Sequence, residues 1–492
     1  MTDQSSEHSL DACPLSWPDQ RRNLVLFASC TGMQYLAAPV LYVGITQASL
    51  CDRLEADTRT SNLPATLFFA MTAMPAIIAW VSPKVASLKR NLMLCYATSA
   101  VMLAALAVTL MLPLPNSVKL AMVILQGGVS GAVMPAAIAF LWEVIGRGSA
   151  ESKRGLALSL AFGLGPILAV VGSFAQTALL GGTLFGWKFS GAAYPWNFVV
   201  LFGAGAPVMA VAAYLSRLFV VLPVERELER EPLSDVLPLL IGVPMMFGSV
   251  ALLHFASVQS NELFRFAGYG AAAVAAVAIV YYFRSLLSQR VLLLATVVTI
   301  LVYAVNGSPS NMNLYSQSAL GDSPEKYAGL QNMLRFGFKA VAGGFLGWML
   351  TRTNPRAGIL ATATICLVSQ IWAMLVTGPW YLAAFVIFGA GELIGVYSPN
   401  YMVSASKTND LRRTMAFATM LMVPAAPAGY LYGAIVDFVK SHKLTALGLT
   451  PESLGFRASF LASSVLILCG IVVAVSLLPK RPGKESDSDS SR

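Results

Sequence analysis

Two stretches far apart in the chain read alike: APVLYVGITQASLCD at 38–52 and SPSNMNLYSQSALGD at 308–322. At one offset Pro39 matches Pro309, Gln47 matches Gln317, Leu50 matches Leu320 and Asp52 matches Asp322. Asn62 and Asn332 keep the same spacing. The offset then shortens slightly, pairing Pro135 with Pro399 and Arg154 with Arg413. Matches in a constant order with a slowly drifting offset indicate an internal repeat.

The composition says what kind of unit is repeated. The chain has 492 residues, 56% of them hydrophobic and only 12% charged. A soluble protein has too little polar surface at that ratio, since roughly a quarter of its residues are normally charged. The 39 glycines have no collagen period, and six cysteines make no disulfide framework. What remains is an all-α polytopic membrane protein. The net charge of +9 is therefore no nucleic-acid footprint. Cysteines and the histidines His8, His254 and His442 show no metal-ligand spacing, so no metal and no cofactor are expected.

Outward from the repeat, apolar segments long enough to cross about 30 Å of hydrocarbon predict fourteen spans. Residues 1–22 form a polar cytoplasmic tail and 23–222 a six-helix bundle. A charged cytoplasmic linker, 223–234, leads to an inserted helix pair at 235–287. A second six-helix bundle covers 288–479, and 480–492 is a disordered cytoplasmic tail. With both termini cytoplasmic, about two thirds of the 33 Lys and Arg fall on the inner side, as the positive-inside rule requires. Both halves then start on the same side, so the repeats are parallel and related by an axis along the membrane normal.

That arrangement resembles the major facilitator superfamily of transporters. The family's loop between the second and third helix of each half reads Gly-x-Leu-x-Asp-Arg-x-Gly-Arg-Lys/Arg. In the second half of this chain, Gly347-Trp-Met-Leu-Thr351-Arg352-Thr-Asn-Pro355-Arg356 keeps the Gly, one Arg and the final base, with Thr351 in place of the acid. In the first half only the basic end survives, as Lys89-Arg90. Gln126-Gly127 is similar to the family's Arg-x-x-Gln-Gly, with Val123 for the Arg. Gly165-Pro166 is similar to the Gly-Pro-x-x-Gly-Gly of drug antiporters, with Ala169-Val170 for the later glycines. The resemblance implies gating roles for Lys89, Arg90, Gly347, Arg352 and Arg356. Gly343 and Gly347, four apart, are read as a helix-packing pair.

Charges inside a span cost roughly 2.5–3.5 kcal/mol each on insertion scales, so they mark a cavity, a partner or a substrate. Arg335 and Lys339 lie one helical turn apart, and Glu392 sits near mid-depth in GAGELIG. They form either a structural ion pair or, with one cation in excess, a site for an anionic solute or for a carboxylate that exchanges protons. Gln34, Tyr35, Gln126, Asn306, Asn311 and Asn313 complete the expected substrate-binding set. The run at 306–317 is too polar to face lipid and is read as lining a wet cavity.

These readings converge on a monomeric inner- or plasma-membrane secondary transporter, a symporter or antiporter and not an enzyme. It moves a small polar or anionic solute by alternating access. Its partners are that solute, a coupling proton or ion and the lipid bilayer, with no nucleic acid. The rivals are a non-transporting sensor on the same scaffold and a lipid-modifying enzyme. The best catalytic candidate for the latter, Glu143 with Arg147, reads more simply as a helix-end ion pair.

Overall fold

The computed structural model describes residues 15–482 except 43, 185–186, 222–231, 260, 407–416 and 419; the side chains at 79, 151–163, 183–184, 257–258 and 351 are also left undescribed. Most of the expected linker at 223–234, the outer parts of both expected tails, and the side chain of Arg154 with the whole of Arg413 lie outside the described residues.

The first helix, α1 (Trp17–Leu36), starts inside the expected tail. Ser16 accepts from the Asp19 N–H and a proline opens the first turn, which is a sufficient start signal. After a break come α2 (Ala38–Leu41) and α3 (Ile45–Arg53). A turn at 54–57 leads to α4 (Thr58–Ala70) and α5 (Met74–Val81). Then α6 (Leu88–Met111), α7 (Asn116–Gly148), α8 (Glu151–Leu180), a short hairpin β1 (Gly182–Leu184) and β2 (Trp187–Phe189), and α9 (Trp196–Ser216) complete the first bundle.

α10 (Leu233–Gln259) and α11 (Glu262–Tyr282) follow, and after α12 (Arg284–Leu287) the second bundle begins. It comprises α13 (Arg290–Tyr303), α14 (Ser308–Leu320), α15 (Pro324–Arg352), α16 (Pro355–Leu375), α17 (Ala383–Gly391), α18 (Ile394–Ala405), α19 (Met422–Ala425), α20 (Pro427–Ser441) and α21 (Pro451–Leu477). Two pseudo-symmetric bundles with an inserted hairpin make an all-α polytopic fold. Among the described residues, eleven helical stretches are long and apolar enough to cross a membrane. α15 is not among them, and Gln331, Asn332, Arg335 and Lys339 lie along it.

The repeat-matched prolines act alike. Proline has no N–H to donate and its ring crowds the carbonyl four residues back. Pro39 stands just past the break after Leu36, and Pro309 just past the 3-10 turn at Ala304–Gly307. Both first helices are thus interrupted next to the repeat-matched prolines. α14 stops at Gly321, whose φ of +82° is the left-handed C-terminal geometry.

Lipid is as apolar as leucine, so close backbone packing and interior hydrogen bonds hold such bundles together. Gly131 of α7 lies so near α4 that a Cβ there would fall 2.6 Å from the Phe68 Cα. The inserted α10 and α11 pack chiefly on each other, and α11 presents Leu263, Phe266 and Val277 outward, each about 70% exposed.

Candidate functional site

Glu392 stands at the break between α17 and α18, seated by the two glycines before it. A Cβ at Gly389 would lie on the Arg335 carbonyl and 3.0 Å from the Arg335 Cα. A Cβ at Gly391 would fall 2.5 Å from the Cys366 sulfur of α16. The GAGELIG sequence thus lets α17 press against α15 and α16 and delivers the carboxylate to the α15 face carrying both bases.

Arg335 Nε donates to Glu392 Oε1 at 2.9 Å, and Nη2 reaches the same oxygen. Lys339 Nζ takes Oε2 at 3.5 Å. The side chains of Arg335 and Glu392 are 8% and 9% exposed, that of Lys339 29%. One carboxylate faces two cations, so a positive charge is left over within the helix bundle. The remaining guanidinium nitrogen, Arg335 Nη1, is buried with no hydrogen-bond partner. Buried charge needs a partner because desolvation costs several kcal/mol per ion.

Aromatic rings surround this cluster. The Arg335 guanidinium lies 5.3 Å from the Phe336 ring and 5.8 Å from the Phe388 ring. Tyr42 of the first bundle meets Phe336 of the second at 6.2 Å between ring centroids, and Tyr35 meets Tyr42 at 6.3 Å. The triad therefore borders the seam between the bundles.

The expected amides are also inside, but already bonded. Gln34 donates to the Tyr96 hydroxyl at 2.5 Å. Gln126 donates to the Val40 carbonyl and to Ser130, and accepts from Gln47 at 3.1 Å. Asn306 is half-buried in the 3-10 turn before α14. Asn311 and Asn313 cross the seam: Asn62 donates to Asn311 at 2.7 Å and Ser49 to Asn313 at 2.8 Å. The run at 308–316 is buried throughout; the network takes up the polarity of Asn311 and Asn313, while the Ser310 hydroxyl is buried without a hydrogen-bond partner.

Asn332, which the repeat pairs with Asn62, also crosses the seam. It donates to Gln176 at 3.0 Å and Thr46 at 3.4 Å. The paired asparagines thus do equivalent work, each reaching from the second helix of its own half into the other. Asp437 of α20 adds a cross-bundle cap, accepting from the Thr58 and Arg59 N–H groups of α4 at 3.1 and 2.9 Å and pairing with the Arg59 side chain at 3.3 Å. Small residues allow this approach. A Cβ on Gly433 would fall 2.7 Å from the Thr58 carbonyl, and one on Gly329 2.8 Å from the Thr177 Cα. All these contacts gather at the end of the molecule holding the 54–57 and 321–323 turns.

The motif-loop residues sit at the opposite end and act within their own bundles. Lys89 donates to the Phe219 carbonyl at 3.1 Å, and Arg356 to the Leu478 carbonyl at 2.7 Å. Each base ties the start of the third helix of its half to the chain just past the sixth, where exposed carbonyls attract cations. Arg90 is exposed, and Arg352 lies over the Trp348 ring at 4.8 Å. The packing role expected of Gly343 and Gly347 is corrected: a Cβ at either position would meet nothing within 4 Å. Small size there leaves open space. Glu143 and Arg147 form the expected ion pair at 2.9 Å.

A sequence model described as Major Facilitator Superfamily matches residues 23–429. A gentisate transporter from Corynebacterium glutamicum is 27% identical over 154 residues, which are 30% of this chain and 32% of the relative. This chain therefore spans about a third of that relative's length. Among solved structures, the nucleoside transporter NupG superposes with a TM-score of 0.59 at 10% identity, covering 92% of this chain and 98% of its own. The POT family transporter PepTSo superposes with a TM-score of 0.63 at 12% identity, covering 94% and 99%. These likenesses establish the fold.

Proposed function

The chain belongs to the Major Facilitator Superfamily, a family of membrane transporters, and from that premise we propose that it carries a small organic anion across the inner or plasma membrane as a gradient-driven secondary transporter. One observation carries the reading: the buried Arg335–Glu392–Lys339 cluster has one positive charge too many and an unpartnered guanidinium nitrogen beside the seam. A site that must neutralise itself selects an anion or exchanges a proton on Glu392. The partial relative is a transporter of gentisate, itself an anion, which supports the same class.

On this reading there are fourteen crossings. α1–α3, α8 and α15 join the eleven apolar stretches, and α10–α11 are an insertion between bundles at 23–222 and 288–479. With both termini inside, the 54–57 end faces outward. The bundles meet there, so the described state is closed to the outside, and substrate binding near Glu392 would shift its balance with the outward-open state.

Counterflow in proteoliposomes tests the proposal. Vesicles preloaded with unlabelled benzoate, succinate or uridine are challenged with the same labelled solute. Accelerated exchange of an anion, without nucleotide, is the expected result. Exchange of uridine alone, or of none of the three, refutes it.

A further inference from the structure

The same cluster narrows the class of anion. We propose that it anchors an aromatic carboxylate, the carboxylate on Arg335 and the ring packed on Phe336 in place of Tyr42 when the seam parts; this rests on the anion-transport reading above. Guanidinium presents five donors in a planar fork. Here Nε and Nη2 both spend themselves on one oxygen of Glu392, while Lys339 takes the other. The Nε and Nη2 edge of the guanidinium thus faces Glu392, and Nη1, on the opposite side, stays buried and unbonded. A carboxylate supplies both missing quantities, an acceptor and a negative charge.

The neighbourhood selects what that carboxylate is attached to. Phe336 is adjacent to Arg335 in sequence and only 3% exposed, and Phe388 is fully buried. Tyr42 approaches Phe336 from the other bundle at 6.2 Å with planes tilted by 53°. This ring pair bridges the seam beside the charge, and it joins surfaces that must separate if the bundles rock. The two rings touch each other in this state, and when the pair parts a planar π-system can cover the ring face each one loses, through stacking and edge contacts. An aliphatic or inorganic anion would satisfy Nη1 yet leave the ring faces without that gain.

The test is a titration series on the purified full chain in detergent, with calorimetric readout. Benzoate, cyclohexanecarboxylate, succinate, sulfate, benzamide and uridine serve as probes. Benzoate should bind about three- to tenfold tighter than cyclohexanecarboxylate, the worth of an aromatic pair. It should bind about 100-fold tighter than uncharged benzamide. Phe336→Leu should bring the benzoate and cyclohexanecarboxylate affinities together while barely changing the latter. Arg335→Lys should weaken both; because it also strips a bond from Glu392, the wild-type series stands without it. Succinate, sulfate or cyclohexanecarboxylate binding as tightly as benzoate overturns the aromatic assignment and leaves anion transport standing. Benzamide or uridine matching benzoate, or no anion binding at millimolar concentration, overturns both.

Discussion

The two ends of the molecule are held by different means. At the end with the 54–57 turn, bonds run between bundles: Asn62 to Asn311, Ser49 to Asn313, Asn332 to Gln176, and Asp437 to the start of α4. At the other end, Lys89 and Arg356 bond within their own bundles, and Gly343 and Gly347 border open space. The within-bundle ties include ionic ones, and the most buried is the Glu392 triad. The cross-bundle ties are mainly neutral amides and hydroxyls, each worth about 0.5–1.5 kcal/mol net, which water can replace when the seam opens. Ties that make each bundle rigid, combined with weak ties between them, suit two bodies that rock. Cutting a within-bundle tie should therefore cost stability, and cutting a cross-bundle tie should move a population.

The largest effect is expected from Glu392→Gln. It keeps the shape but leaves Arg335 and Lys339 facing a neutral amide in a buried site. Removing one partner of a buried ion pair typically costs about 3–5 kcal/mol. Chemical denaturation in detergent should show that loss. If Glu392 instead carries coupling alone, the variant will keep its stability and its solute exchange but lose gradient-driven accumulation. Normal stability with normal accumulation would remove Glu392 from both roles.

Much of this contrast was legible in the sequence. The repeat pointed to two equivalent halves, and the interrupting prolines Pro39 and Pro309 fall where it pairs them. The three charges were visible because a charge in an apolar span is conspicuous, and four-residue spacing put Arg335 and Lys339 on one face. What could not be read was which polar groups meet across the seam. Asn311, Asn313, Gln34 and Gln126 look like cavity residues because a span must bury its amides. An amide bonded to another helix and one facing a solute have the same local sequence. Asn332 and Asn62 were findable through their repeat match alone. Gly343 and Gly347 misled for a related reason: a small residue permits close packing but does not supply the partner.

Asn332→Ala should have an intermediate effect and of the other kind. It leaves Gln176 without its donor only while the seam is closed. An orphaned buried acceptor costs about 1–3 kcal/mol, a shift of roughly 5- to 150-fold toward the state open at that end. Spin labels at Glu55 and Lys443, which are exposed and in different bundles at that end, report the separation by double electron–electron resonance. A longer-distance population should grow in the variant while unfolding stability changes little. An unchanged distance distribution would mean that the asparagines only hold the fold together.

The smallest effect concerns the start of α4, where the two kinds of tie share one residue. Arg59 pairs with Asp57 of its own bundle at 3.0 Å and with Asp437 of the other at 3.3 Å. Asp57 caps α4 by accepting from the Thr60 N–H at 2.8 Å. Burial pushes its carboxyl up, but the Thr60 hydrogen bonds and Arg59 outweigh that and hold it below its ordinary value. A carboxyl depressed in the folded state contributes stability above its unfolded pKa, near 4. That contribution drains away as pH falls through the lower folded value. Asp57 is 43% exposed, so solvent and salt screen most of the effect. Asp57→Asn keeps a good capping acceptor and removes the titration. Thermal unfolding should then show a smaller drop between pH 6 and pH 3 than in the parent, with little change at neutral pH. The Glu55–Lys443 distances should stay where they were, because Asp57 caps a helix of its own bundle. If they lengthen instead, Asp57 acts through its hold on Arg59 and belongs with Asn62, Asn332 and Asp437 among the ties that decide which way the molecule faces.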